Sequence, residues 1–94
     1  MPSTIEKETL EVLLRDETKI IKALETYYTR FCTGDSITFQ GAALISGANP
    51  AFMVDYMFYR GEYRFGMPDD REDALEYLNN LRRLKKDIGL DNLN

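Results

Sequence analysis

The sequence predicts a mainly α-helical fold, a compact bundle of four or five helices. In the first and last thirds of the chain, apolar residues recur at steps of three and four, which is the period of an amphipathic helix. Between these segments, two short apolar runs are separated by Gly, Asn and Pro, residues that end and begin helices. Ninety-four residues suffice for one modest hydrophobic core. We therefore expect a single domain over residues 1–94.

Residues 1–32 are predicted to form an N-terminal helix or a helix pair. Ser3 and Glu6 match a capping box, which marks a helix start. The apolar stripe then comprises Leu10, Leu14, Ile21, Leu24, Tyr28 and Phe31. Glu17 occupies one place on that stripe, and a charge there indicates a break at Asp16, which can cap a second helix. One continuous helix is the alternative.

Two short helices are predicted in the centre of the chain, over Phe39–Ser46 and from Pro50 to about Tyr59. Gly47 can adopt the left-handed conformation that closes the first helix. Asn49 can cap the second, and Pro50 suits its first position. This is the local pattern of a helix-turn-helix.

The second central helix is apolar almost all round, with Phe52, Met53 and Tyr56 expected to be buried. Such a helix is either buried on several sides or has a surface that a partner covers. We expect the segment to be the central buried element of the bundle. The alternative is an α+β fold with a small hairpin near Tyr56–Phe65, where aromatic and polar residues alternate.

The last helix is predicted over Asp70–Ile88. Acidic residues at its start and basic residues at its end complement the helix dipole. Its apolar stripe comprises Ala74, Tyr77, Leu78, Leu81, Leu84 and Ile88. Gly89 can end the helix in a left-handed conformation, with Leu90 folding back onto the last turn.

Four positions of the central segment carry a likeness to a known family. Ala43 precedes Gly47 by four residues, and apolar Met53 and Tyr56 follow that glycine by six and nine. With this spacing, Ile37–Leu81 resembles the helix-turn-helix domain of the phage-repressor (Xre/Cro-like) class. The resemblance implies a helix-turn-helix-like core and C-terminal helix over residues 37–90, and a DNA-binding activity.

The residues expected on the DNA-facing side of the second central helix are poorly suited to that activity. Base edges are usually read by Arg, Lys, Asn and Gln, and phosphates are bound by cations. Here Val54 and Phe58 are apolar, and Asp55 would repel the DNA backbone. We therefore predict a degenerate recognition helix.

Composition narrows the function further. The formal net charge is −4, so the chain as a whole does not attract nucleic acid. It contains no histidine and a single cysteine, Cys32, so we predict no catalytic residues, no metal site and no cofactor. No apolar run approaches the length of a membrane span, and we expect a cytoplasmic protein that does not bind membranes.

The candidate partner-binding residues combine aromatic rings with two arginines: Tyr59, Arg60, Tyr63, Arg64 and Phe65. Tyr and Arg are enriched at protein-binding hot spots. Core aromatics covered by arginine stems, or a stacking platform for single-stranded nucleic acid, are the alternatives. We predict a small acidic regulatory or adaptor protein that binds a protein partner, basic in charge, or a second copy of itself. The alternative is a helix-turn-helix DNA-binding transcription regulator.

Overall fold

Five α-helices and one 3₁₀ turn form the regular structure of the computed structural model, which describes residues 7–90. The elements are α1 (Lys7–Arg15), α2 (Glu17–Cys32), α3 (Phe39–Ser46), α4 (Pro50–Tyr59), a 3₁₀ turn (Gly61–Tyr63) and α5 (Arg71–Asp87). The prediction of a mainly α-helical bundle is confirmed. No strand occurs within residues 7–90, so the alternative of a hairpin near Tyr56–Phe65 was wrong.

The hairpin is replaced by the end of α4 and the turn that follows it. Backbone hydrogen bonds in this stretch are local: Tyr63 N donates to Arg60 O and Arg64 N donates to Gly61 O, both at 2.9 Å. Arg64 then adopts a left-handed conformation, with φ of 56°. The alternation of aromatic and polar residues in this segment therefore belongs to a tight turn and not to a strand.

The centre of the bundle is α2, which contacts each of the other four helices. Its buried residues are Ile20, Ile21, Ala23, Leu24, Tyr27 and Tyr28. By contrast, α4 contributes two fully buried side chains, Met53 and Tyr56, and Phe52 is only half-buried. The expectation that Pro50–Phe58 is the central buried element was therefore wrong. The longer, amphipathic α2 takes that place because it has neighbours along its whole length.

The N-terminal segment is a pair of helices with a break at Asp16, one of the two predicted alternatives. The Asp16 side chain makes no capping hydrogen bond, and the backbone bond from Asp16 N to Val12 O, at 3.0 Å, bridges the break. The break changes which residues face inward. Leu13 is fully buried, whereas Leu14, predicted on the buried stripe, is exposed. The predicted capping box of Ser3 and Glu6 lies outside the described residues.

The connection between α3 and α4 has the predicted local chemistry. Thr38 Oγ1 accepts a hydrogen bond from Gly41 N at 2.9 Å, which caps α3. Gly47 closes that helix with a left-handed φ of 73°. Asn49 Oδ1 accepts from Ala51 N at 2.9 Å and so caps α4. Two short helices joined by a three-residue turn are thus an observed feature of the chain.

Both ends of α5 also follow the sequence. Asp70 caps its start, because the Asp70 Oδ1 accepts a hydrogen bond from Asp73 N at 2.9 Å. Gly89 has a φ of 78°, and Leu90 N donates to Lys85 O at 2.7 Å. This is the predicted C-terminal arrangement, in which the chain folds back onto the last turn. None of the helices within residues 7–90 is long and apolar enough to cross a membrane.

Candidate functional site

The two sides of α4 have different surroundings although both are apolar. On the inward side, Met53 and Tyr56 are fully buried against the core. On the outward side, Val54 and Phe58 are exposed, and Phe58 leaves 80% of its surface open. Because most of its ring stays in water, Phe58 contributes little hydrophobic free energy to folding.

The outward side of α4 forms one wall of a surface groove, which we call the α4 groove. Its other wall is the chain that follows the 3₁₀ turn. The groove has a volume of about 330 Å³ and a mainly apolar lining. The lining residues are Val54, Met57, Phe58, Gly61, Phe65, Gly66 and Met67.

The loop wall of the groove is fixed to the core through Gly66. Tyr28 Oη donates a hydrogen bond to Gly66 O at 3.0 Å and accepts one from Gly66 N at 3.3 Å. Burial raises the pKa of Tyr28 well above its usual value, so the hydroxyl keeps the proton that it donates. A Cβ at position 66 would lie 3.0 Å from Tyr77 Oη, so any larger residue there must displace the Tyr77 ring or the loop by a few tenths of an ångström.

A polar cluster of Glu17, Tyr56 and Arg60 holds the C-terminal end of α4 against the start of α2. Tyr56 Oη donates to Glu17 Oε2, and Arg60 Nη2 donates to the same oxygen at 2.8 Å. Arg60 Nε also donates to Tyr56 Oη at 3.3 Å. Burial and the hydrogen bond to Glu17 raise the pKa of Tyr56, so it remains a donor. This explains the charge on the apolar stripe of α2: Glu17 is a partner for α4.

Two of the candidate partner-binding residues, Tyr59 and Arg60, interact with each other beside this cluster. The Arg60 guanidinium lies 4.9 Å from the centre of the Tyr59 ring and 5.7 Å from that of Tyr56. Burial alone would lower the pKa of Arg60, but its hydrogen bonds to Glu17 and Tyr56 outweigh burial and raise that pKa. Arg60 is therefore charged and held in an internal ion pair.

Tyr63 lies on the side of the turn that faces α5. Tyr63 Oη donates to Asp87 Oδ2 at 2.8 Å, and the Arg83 guanidinium lies 5.2 Å from the Tyr63 ring centre. The Tyr63 and Phe65 rings are stacked, with centres 6.4 Å apart. Tyr63 thus braces the turn against α5, and Phe65 continues from it into the groove.

Arg64 has an exposed side chain, and its carbonyl oxygen accepts a hydrogen bond from Asn80 Nδ2 at 3.0 Å. Of the five candidate residues, the structure places Phe65 in the lining of the α4 groove. The other four surround the turn, in internal contacts or, for the Arg64 side chain, in solvent. The five candidate residues are therefore close in sequence but do not form one continuous surface.

Sequence reasoning missed most of the groove lining. Val54 and Phe58 were identified as outward residues of α4, but only as poor DNA contacts. Met57 and Met67 are not among the residues that the sequence predicts to form a site. The sequence signal for the groove is that α4 is apolar on every side. A helix of this kind is expected to be covered on every side, either by the core or by a partner. Met67 lies in a loop without periodicity, so no pattern pointed to it.

Over residues 7–90, no group of three or more Cys, Asp or Glu side chains is placed to hold a metal ion. Cys32 is a half-buried free thiol. A comparison with protein-family models, with curated proteins and with solved structures found no match to this chain.

Proposed function

We propose that this chain is a small, non-catalytic regulatory or adaptor protein of the cytosol, and that it binds another protein through the α4 groove. The observation that carries the proposal is the exposure of Val54, Phe58 and Met67 along one apolar groove. Contiguous exposed apolar surface is a common mark of protein-interaction sites. Aromatic residues and methionine are also enriched in the cores of protein interfaces.

Phe58 is the anchor of the proposed interface. Its backbone is already fixed in a helix, so binding orders only the two torsions of the side chain. Burying a phenylalanine side chain contributes about 1.5–3 kcal/mol, and an anchor in a desolvated pocket can dominate an interface. The inward side of α4 keeps the helix in place while the outward side is covered.

The alternative function is DNA binding by α3 and α4, which the two short helices and the three-residue turn support. The outward residues of α4 oppose it: Ala51, Val54 and Phe58 are apolar, and Asp55 is negative. Fluorescence anisotropy with random-sequence duplex DNA separates the two functions. We expect no saturable binding at physiological salt, since non-specific affinity comes from phosphate contacts with cations. Saturable binding that weakens steeply with added salt would favour the alternative, a DNA-binding transcription regulator.

The proposal is tested by quantitative co-purification of the tagged protein from its native cell. The test variant is Phe58→Ser, and the matched control is Leu44→Ser on α3. The two side chains are equally exposed, at 80% and 82%, but Leu44 does not line the groove. Both side chains are largely exposed, so the free energy of unfolding of both variants should equal that of the wild type within about 0.5 kcal/mol.

We expect Phe58→Ser to lose a specific co-purifying protein that Leu44→Ser and the wild type retain. Loss of the same protein in both variants would indicate a different or wider surface. Retention of every co-purifying protein by Phe58→Ser would contradict the proposal. If the protein that Phe58→Ser loses is a second copy of the chain itself, the groove is a self-association surface.

A further inference from the structure

We infer that Met67 is a site of reversible oxidation, and that its sulfoxide disables the α4 groove for partner binding. The effect on binding rests on the proposed function and concerns the regulation of the same groove. Three observations carry the inference: the graded burial of the methionines, the apolar lining around Met67, and the attachment of the loop that contains Met67.

The methionines of residues 7–90 differ in burial in a way that directs oxidation to the groove. Met53 is fully buried, Met57 is partly buried against the core, and Met67 is exposed over half of its surface. The two that are not fully buried, Met57 and Met67, both line the α4 groove. Oxidants reach exposed thioethers first, so we expect Met67 to react before Met57, and Met53 to stay reduced while the chain is folded.

The oxidation of Met67 needs no catalytic group of this chain, because a peroxide is the oxidant. An electron pair of Met67 Sδ attacks one peroxide oxygen, so that an S–O bond forms and the O–O bond breaks. With hydrogen peroxide, the transferred oxygen passes its proton to the leaving hydroxide, which departs as water. The sulfur is oxidised by two electrons and the peroxide is reduced by two. A methionine sulfoxide reductase with a thiol reductant reverses the change: the oxygen leaves as water and two thiols are joined in a disulfide.

The sulfoxide makes one exposed member of an apolar lining polar. Its oxygen is a hydrogen-bond acceptor, whereas no side chain that lines the groove carries an N–H or O–H donor. A partner that covers the groove through apolar contacts therefore removes this oxygen from water without replacing its hydrogen bonds, which opposes binding. The unoxidised thioether, by contrast, is apolar and adapts its shape to the surface that covers it.

The fold does not depend on the Met67 side chain, so the effect of oxidation is confined to the groove. The loop is held by the two hydrogen bonds between Gly66 and Tyr28, neither of which involves that side chain. A sulfoxide on an exposed side chain leaves these attachments in place. A sulfoxide at Met53 would instead put a polar group into the core, where burial protects the thioether.

Peptide mapping by mass spectrometry shows where the chain is oxidised. The full chain is treated with hydrogen peroxide, the reaction is stopped at several times, and the sulfoxide at each methionine is quantified. We expect Met67 to be oxidised at least about tenfold faster than Met53 in the folded chain, with Met57 between them. In denaturant, the three rates should agree within about twofold, since burial is lost. Methionine sulfoxide reductase with dithiothreitol should then restore Met67.

The groove itself is probed with anilinonaphthalene sulfonate, a dye whose fluorescence rises on exposed apolar surface. Loss of dye binding in Phe58→Ser, but not in Leu44→Ser, assigns the dye to the groove. We expect peroxide treatment to weaken dye binding by the wild type at least about threefold, and Met67→Gln to do the same without oxidant. Circular dichroism and an unchanged thermal midpoint confirm that the treated chain is folded.

Met67→Leu is the matched control for the oxidation. It keeps the apolar lining and every other side chain that peroxide can oxidise, Cys32 included. Its dye affinity should therefore equal that of the untreated wild type within about twofold, both before and after treatment.

Equal oxidation rates at Met67 and Met53, unchanged dye affinity after oxidation of Met67, or an equal loss in Met67→Leu would overturn the inference. Dye binding by the untreated chain that does not depend on Phe58 would also overturn it. The co-purification test is separate. If oxidised and untreated wild type capture the Phe58-dependent partner equally, the proposed function stands and the effect of oxidation is rejected. If no partner depends on Phe58, the proposed function fails even where Met67 is oxidised as expected, and the effect on binding fails with it.

Discussion

Helices α4 and α5 pack on the same bundle, but their outward sides differ. Most exposed residues of α5 are charged or polar, including Glu72, Glu76, Arg82 and Lys86, with Leu75 as the exception. The outward side of α4 instead presents Ala51, Val54 and Phe58. Both helices bury apolar residues on their inward sides. Folding alone therefore gives no reason for the outward side of α4 to be more apolar than that of α5.

The comparison separates the apolar residues that the fold requires from those that it leaves exposed. The outward side of α5 is that of an ordinary surface helix, in which charge keeps the helix in water and complements its dipole. The outward side of α4 does neither. It forms a groove with the following loop, in which Gly66 is hydrogen-bonded to the buried Tyr28. A binding role for this side is therefore the simplest explanation of its composition.

The largest expected effect contrasts two neighbouring residues of α4. Met53→Ala should lower the free energy of unfolding by about 2–5 kcal/mol, because Met53 is fully buried and its loss leaves a cavity. Val54→Ala, one position further on the outward side, should change it by less than about 1 kcal/mol. Urea denaturation measures both. Equal losses would show that the outward side also belongs to the core.

The next effect concerns the loop wall of the groove. Gly66→Ala should destabilise the fold by about 1–3 kcal/mol, since the added methyl group lies against Tyr77 and displaces the loop from Tyr28. Gly61→Ala is the matched control: its Cβ meets no atom within 4 Å and its φ is not left-handed. Thermal denaturation of both variants gives the comparison. A neutral Gly66→Ala variant would mean that the loop is not held as described.

The ion pair between Glu17 and Arg60 should contribute more than the pair between Glu25 and Lys85. The first is largely buried and includes the Tyr56 hydroxyl, and the second is more exposed, with an N–O distance of 3.3 Å. Glu17→Gln should therefore lower stability by about 1–3 kcal/mol. Glu25→Gln should lower it by at most about 1 kcal/mol. Double-mutant cycles with Arg60→Gln and Lys85→Gln measure each coupling, and a zero coupling for the first pair would refute the cluster.

The smallest effect is a pH dependence on the alkaline side. In the unfolded chain Tyr56 loses its proton near pH 10, whereas in the native state its pKa is raised and the proton is retained. Above about pH 10 the unfolded state therefore binds fewer protons, and stability falls as pH rises. Tyr56→Phe should reduce that slope, although the variant is less stable at neutral pH. Denaturation between pH 8 and pH 11 tests this, and an unchanged slope would contradict it.

The helix boundaries were largely predictable because they depend on local chemistry. Asn49 and Pro50 begin α4, Asp70 begins α5, and Gly47 and Gly89 adopt the left-handed conformation that ends a helix. Each of these signals acts within four residues, so no knowledge of the tertiary structure is needed.

The groove and the central position of α2 were not predictable in the same way. In the sequence, Glu17 is a charged residue that interrupts an apolar stripe. In the structure it accepts hydrogen bonds from Tyr56 and Arg60, which lie about forty positions further along the chain. Similarly, nothing local distinguishes Met53, which is buried, from Phe58, which is exposed. Such contacts depend on how helices pack, and apolar periodicity cannot assign sides to a helix that is apolar all round.

The central claim is that α4, and not the charged side of α5, presents the binding surface. The most direct test is an NMR titration of the isotope-labelled chain with the protein that co-purifies with the wild type but not with Phe58→Ser. We predict that amide shift changes concentrate on the outward side of α4 and on residues 61–67, and that the outward side of α5 is unaffected. Shifts concentrated on α5, or spread evenly over the bundle, would contradict the claim.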